Sequence, residues 1–197
     1  MKTAFVLGNG VSRRGINPEL LKSHGTIYGC NGLYREFSPD YLIAVDAKML
    51  TEIDRAGYQH DHSVWSNKKS STRLIQGVNW FNPNKGWSSG PTALWLASQH
   101  DYNVIYILGF DYKGLENGKT FNNIYADTEN YKKSQEKATY YGNWVNQTKT
   151  VIKDNCNIQY VRVIPEGWFV PDEFKQLNNL SHLSVEKFRV KFGGRDE

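Results

Sequence analysis

Four short runs, TAFVLG (3–8), YLIAVD (41–46), VIYILGFD (104–111) and IQYVRVI (158–164), are dense in β-branched and aromatic residues and close on turn formers. Their length and composition fit buried β-strands better than helices. TIYGCN (26–31) and SVWSN (63–67) are candidates for two more. Helical stretches lie between them: NPELLKSH from Pro18, a segment starting near Lys48, GPTALWLASQHD (90–101), and a long run over 130–155. Pro18 and Pro91 sit where a helix start needs no amide partner. Strands alternating with helices predict an α/β fold, a Rossmann-like domain with a mainly parallel sheet flanked by helices. In such sheets ligands bind beyond the carboxyl ends of the strands. Those ends are Gly8-Asn9-Gly10, Cys30-Asn31-Gly32, Asp46 and Asp111-Tyr112, which together predict one crevice.

A chain of 197 residues has room for one good-sized core. The expectation is one domain over 1–180, followed by a C-terminal extension, 181–197, made of a helix and a loosely held tail. Scattered cations and a net charge of +4 argue against a nucleic-acid footprint and for a small anionic ligand. The 12 Tyr and 6 Trp suit a binding cleft. Cys30 and Cys156 have no CxxC or Cys/His spacing, and the five histidines offer only the pair His60-x-His62, so no metal site is expected. The opening residues lack the apolar core of a signal peptide and no window has the length of a membrane span, which predicts a cytoplasmic protein. A homo-oligomer is left open.

Several residues point to a phosphorylated ligand. Gly8, Asn9 and Gly10 permit close backbone approach, and Ser12 adds a hydroxyl. This is not the dinucleotide fingerprint G-x-G-x-x-G, because Arg13 and Arg14 stand where its third glycine would fall. A plain strand-to-loop turn explains the same residues. Asn31 offers an amide that both donates and accepts, or else an Asx turn. Ser88, Ser89 and Gly90 open an apolar helix, so its free amides can hold a phosphate, with Lys85 as a counter-charge; N-capping by Ser89 is the competing reading. The polar, Asn-rich loop from Leu115 to Tyr131 reads as a lid or as an ordinary solvated loop.

VLGNGVSRRGINPELL, IYGCNGLY, WSSGPTALWLASQHDYNVIYILGFDY and TYYGNW fall in an order and spacing that resemble the family 42 glycosyltransferases, bacterial sialyltransferases that use CMP-activated sialic acid. That family's pattern looks like GNGPS, CNQ, a TSG-headed helix, IYLSGIDFY and YIGH, and the resemblance covers most of residues 4–165. It implies a CMP-sugar site that includes Asn9, Gly10, Asn31 and Ser89, and a leaving phosphate stabilised by the hydroxyls of Tyr112 and Tyr125. Tyr140 matches the tyrosine of YIGH. The implied reaction is a metal-independent inverting transfer that needs no cofactor beyond the nucleotide-sugar donor. Three positions depart from the pattern. Asn143 replaces the histidine that serves as base, Gly86 or Lys85 stands for an arginine ahead of TSG, and Gly32 replaces the glutamine of CNQ. Asp127, Asp111 or a loop histidine is then the alternative base, unless the acceptor is acidic enough to need little help.

SPDYLIAVDAKML (38–50) is similar to a segment of the archaeal 6-hydroxymethylpterin diphosphokinase-like group. That likeness implies Asp46 at the mouth of the site holding Mg²⁺ beside a triphosphate, with helix capping by Asp46 as the alternative. Compact proteins of this kind occur in phage genomes, and the length here is compatible with such a source. Three functions are carried forward: glycosyl transfer from a CMP-type donor, a Mg²⁺-dependent pyrophosphokinase-like transfer, and nucleotide binding without catalysis.

Overall fold

A computed structural model describes residues 1–193. Eight strands form one sheet: β1 (Thr3–Leu7), β2 (Thr26–Cys30), β3 (Tyr41–Ile43), β4 (Val64–Ser66), β5 (Val78–Trp80), β6 (Val104–Leu108), β7 (Gln159–Ile164) and β8 (Leu180–Ser184). Their order is β5-β4-β3-β2-β1-β6-β7-β8 and every pairing is parallel. The fold is the expected Rossmann-like α/β architecture. The chain steps outward from β1 to β5, then crosses back to lay β6 on the free side of β1. That reversal between β1 and β6 is the topological switch point, where loops diverge and leave a crevice.

Alternation along the central strands divides the core into two layers. Val6, Tyr28, Ile105 and Ile107 face α2 (Ser89–Ser98) and α4 (Gly142–Asp154), packing on Leu94, Ala97, Val151 and Ile152. Phe5, Leu7, Ile27 and Leu108 face the other way, onto Leu21, Leu33 and Phe188. Helix α1 (Ala47–Arg55) covers the outer strands through Met49, Leu50 and Ile53, and a single turn, α3 (Leu115–Gly118), stands in the loop after β6. Helix α2 is buried around most of its circumference, which is why its sequence is almost wholly apolar.

Four details differ from the sequence-based expectations. β5 was missed because only Val78 and Trp80 mark it, in a segment with no apolar run. Pro18–Leu21 forms a 3-10 turn rather than a longer helix, with Asn17 accepting from the Glu19 amide at 3.1 Å. The helix expected over 130–155 starts only at Gly142, because 130–141 has no apolar stripe to bury and is irregular. The segment expected as an extension is part of the domain: β8 pairs with β7 from Leu180, and α5 (Val185–Phe192) buries Val185 and Phe188. Residues 194–197 of that segment lie outside the described residues. Among the described residues no helix is long and apolar enough to cross a membrane.

Candidate functional site

At the switch point the ends of β1, β2 and β6 and the first turns of α2 and α4 surround a cavity of about 110 Å³. Gly8, Asn9, Gly10, Asn31, Ser88, Ser89, Gly90 and Tyr112 all line it. The sequence reading named each of these, and the fold brings them to one place.

The glycines are required by the strands as much as by any ligand. Past the ends of β1 and β6 the two chains continue side by side, with the Gly8 amide donating to Leu108 O at 2.8 Å and the Gly10 amide to Gly109 O at 2.9 Å. A Cβ on Gly8 would lie 2.7 Å from Phe110 Cδ1, and one on Gly10 would overlap the Asp111 carboxyl. Asn9 is likewise committed. Its Nδ2 donates to Cys30 O at 2.9 Å, its Oδ1 accepts from Arg13 Nη2 at 3.1 Å, and its backbone oxygen accepts from the Ile124 amide at 2.8 Å. The residue ties β1, β2 and the 113–141 loop together while lining the cavity.

The other side of the site is held from α2. Ser88 is the N-cap residue and Ser89 is the first residue of the helix, so capping falls one position before the expected one. Ser89 Oγ donates to Asn31 Oδ1 at 2.9 Å and accepts from the Val45 amide at 3.1 Å, joining the ends of β2 and β3 to the helix. Asn31 takes up φ 50°, a left-handed conformation that asparagine tolerates better than most residues. The Ser89 and Gly90 amides have no acceptor within the helix and form its positive end. Among the described residues no Lys or Arg lines the cavity, and Asp111 is its one carboxylate. Asp111 Oδ2 accepts from the Ser12 amide and from Asn122 Nδ2, both at 3.0 Å, while Oδ1 accepts from the Ser12 hydroxyl. Cys30 lines the wall as a buried thiol, pushed up to about 12 by burial.

Other expected site residues stand elsewhere. Ser12 lies behind Asp111 and does not line the cavity. The Tyr112 ring borders the cavity, but its hydroxyl is buried against Thr148 Oγ1 at 2.5 Å and its ionisation is pushed upward, chiefly by burial. Tyr125 lies beyond Asn9, where it donates to Glu36 Oε1 at 2.5 Å and accepts from Arg13 Nη2 at 3.2 Å. Tyr140 is 77% exposed and Asn143 is exposed on the first turn of α4. Asp46 caps α1 by accepting from the Lys48 amide at 2.8 Å, and Lys85 is drawn away between Trp87 and Trp95.

The reading from sequence missed Tyr141 and Trp144, which line the cavity from the start of α4, and Asn122 and Asn123, which close it from the 113–141 loop. The spacing of Tyr141 and Trp144, three apart on a helix start and flanking the exposed Asn143, was the signal available. The Tyr141 hydroxyl is sealed from solvent and makes no well-formed hydrogen bond; burial pushes its ionisation upward, against a smaller opposing effect of the neighbouring Asn122 backbone. A buried polar group left unpaired on a cavity wall points to a ligand or an ordered water. Tyr131 was also overlooked. Its hydroxyl accepts from the Gly32 amide at 2.9 Å and fastens the loop to the end of β2, and burial pushes its ionisation up to about 12.

No protein-family model matches the chain, and neither a curated protein nor a solved structure matches it. The resemblance to the family 42 glycosyltransferases therefore rests on the short motifs themselves.

Proposed function

We propose that the protein binds a nucleotide-activated sugar, most simply a CMP-sugar, and transfers the glycosyl group with inversion and without a metal. The observation that carries this reading is the convergence of the β1, β2 and β6 ends with the α2 N-terminus on one cavity at the switch point. The Ser89 and Gly90 amides, the Ser88 hydroxyl and the Tyr141 hydroxyl, which lies beside the Asn122 backbone, supply donors for a leaving phosphate in a wall to which the described residues contribute no cation. Trp144 and Tyr141 offer aromatic faces for a base or a sugar. In the transfer the acceptor hydroxyl attacks the anomeric carbon as the bond to the phosphate oxygen breaks. The acceptor's proton passes to Asp111, the carboxylate nearest to hand, and the nucleotide leaves with the bonding pair. The cavity holds only part of such a donor, so the remainder lies across its mouth under Asn122 and Asn123.

Relative to the family pattern, this reading moves the phosphate-stabilising role from Tyr112 and Tyr125 to Tyr141 and the α2 amides. Nucleotide binding without catalysis is the second reading. It is favoured by the Tyr112 hydroxyl being tied to Thr148 and by an exposed amide, Asn143, at the family's base position.

Calorimetric titration with CMP, CTP and ATP, with EDTA and with Mg²⁺, tests the assignment. EDTA-insensitive CMP binding together with hydrolysis of a CMP-sugar that falls at least tenfold in Asp111→Asn supports transfer. CMP binding with no turnover supports the silent binder. Magnesium-dependent binding of triphosphates alone overturns both.

A further inference from the structure

A second concavity, of about 310 Å³, lies on the outside of the molecule between α2 and α4, apart from the proposed nucleotide site. Two half-buried indoles line it: Trp87, in the stretch leading into α2, and Trp95, on the helix itself. The ammonium of Lys85 stands 4.9 Å from the centroid of each ring. Trp95 is braced by Phe81, edge-on at 6.0 Å, and Phe81 by Trp65 at 5.2 Å, so at least one wall is part of the packed interior. Asp154, near the end of α4, lines the same groove and pairs with no basic side chain among the described residues. Lys85 is exposed and belongs to a stretch without regular structure.

The groove therefore carries two electron-rich faces converging on one point, a nearby negative charge, and a positive charge already held between them. Indole is the aromatic face that attracts cations most strongly. We propose that the Trp87–Trp95 groove is a binding site for a small organic ammonium ion of the choline type, for which Lys85 is the resident competitor. A quaternary ammonium has no N–H to leave unsatisfied and holds its water weakly, so it enters between two indoles with less desolvation than the Lys85 ammonium. Asp154 supplies the counter-charge. Because Lys85 is tethered a short distance away, it competes at a high effective concentration, and the apparent affinity for an external ammonium is the intrinsic one scaled by the fraction of time the site stands vacant. This site and its ligand are independent of the nucleotide reading.

The test is titration of the full chain with tetramethylammonium and with choline, following the indole N–H signals of the 6 Trp by NMR. Selective shifts at Trp87 and Trp95 are expected at millimolar ligand. Lys85→Ala tightens binding roughly tenfold by vacating the site, Asp154→Asn weakens it severalfold, and Trp87→Leu abolishes it. The remaining indole signals report that each variant is folded. The proposal fails if Lys85→Ala binds no more tightly than the parent chain, or if 3,3-dimethylbutanol, the uncharged isostere of choline, gives the same shifts. It also fails if a neutral disaccharide such as lactose shifts these two indoles while the ammonium ions do not, since the groove would then be a carbohydrate platform.

Discussion

Ser89 Oγ donates to Asn31 Oδ1 at 2.9 Å and in turn accepts from the Val45 amide, so one hydroxyl holds the ends of two strands to the start of α2. Ser89→Ala strands the Val45 N–H and the Asn31 oxygen next to the cavity. A loss of about 1–3 kcal/mol is expected in urea unfolding, together with weaker CMP binding, since the helix start is no longer positioned. Unchanged CMP affinity in a folded Ser89→Ala protein would remove the α2 terminus from the site.

Tyr112 and Tyr141 are expected to separate stability from binding. Tyr112→Phe leaves the Thr148 hydroxyl unpaired on the buried face of α4 and costs about 1 kcal/mol in denaturant unfolding, with CMP binding and donor hydrolysis unaltered. Tyr141→Phe removes a hydroxyl that makes no well-formed hydrogen bond within the protein, so its unfolding midpoint moves little while CMP affinity falls about tenfold, one charge-assisted hydrogen bond. The reverse pattern in calorimetry would restore the leaving-group role to Tyr112.

Gly10 and Gly32 make a second contrast. A Cβ at Gly10 overlaps Asp111, and relief requires the ends of β1 and β6 to part, so Gly10→Ala is expected to cost about 1–3 kcal/mol of global stability. At Gly32 the nearest atom is the Tyr131 hydroxyl at 2.9 Å, the far end of a side chain on the 113–141 loop. Gly32→Ala therefore pushes the loop away and leaves the sheet intact. Hydrogen exchange across 119–141 rises several-fold in Gly32→Ala, and global unfolding changes little.

The same loop is held by an acid-sensitive contact. Burial alone would raise the Glu52 carboxyl, but hydrogen bonds from Arg35, Asn130 and Tyr34 overcome it and bring the group from 4.5 down to about 2. A depressed carboxyl stabilises the folded state above its unfolded value and loses that contribution as pH falls toward its folded value. The contribution is thus whole above pH 4.5 and fades on the way down to about pH 2. Arg35 also reaches Thr128 Oγ1 at 2.8 Å and Glu129 O at 2.9 Å, so the loop is released over that window. Melting temperatures across pH 5 to 2 should fall less steeply in Glu52→Gln than in the parent chain, and equal slopes would refute the assignment.

Arg162, at 1% exposure, donates to the carbonyls of Phe110, Asp111 and Phe169 and stacks near the Tyr112 ring. It turns the peptide oxygens after β6 away from the cavity. Arg162→Met strands three acceptors, two of them buried, and is expected to destabilise by about 3–5 kcal/mol. Arg162→Lys, with a single point charge for three acceptors, recovers only part of that in the same unfolding measurement.

The alternation of short apolar runs with helical stretches was enough to read six of the eight strands and the sense of the sheet, because buried parallel strands announce themselves by composition. β5 and β8 did not, since edge strands with one face in solvent carry polar residues such as Asn79, Ser181 and His182. The glycines and asparagines at the strand ends were legible for the same reason the strands were. Side-chain direction was not: whether the Tyr112 hydroxyl faces the cavity or Thr148 depends on a left-handed backbone at Tyr112, φ 56°, which sequence does not disclose. Tyr141 and Trp144 escaped because attention fell on Asn143 between them, the residue that faces outward.

β1 precedes β6 by four intervening strands yet pairs with it in the middle of the sheet, so its Thr3 has to wait for Val104 before its second flank is closed. In the interval the nascent chain carries a sticky apolar ribbon with one row of peptide groups unsatisfied. Late closure of this kind slows folding and invites self-association, a cost of the same crossing back that opens the crevice.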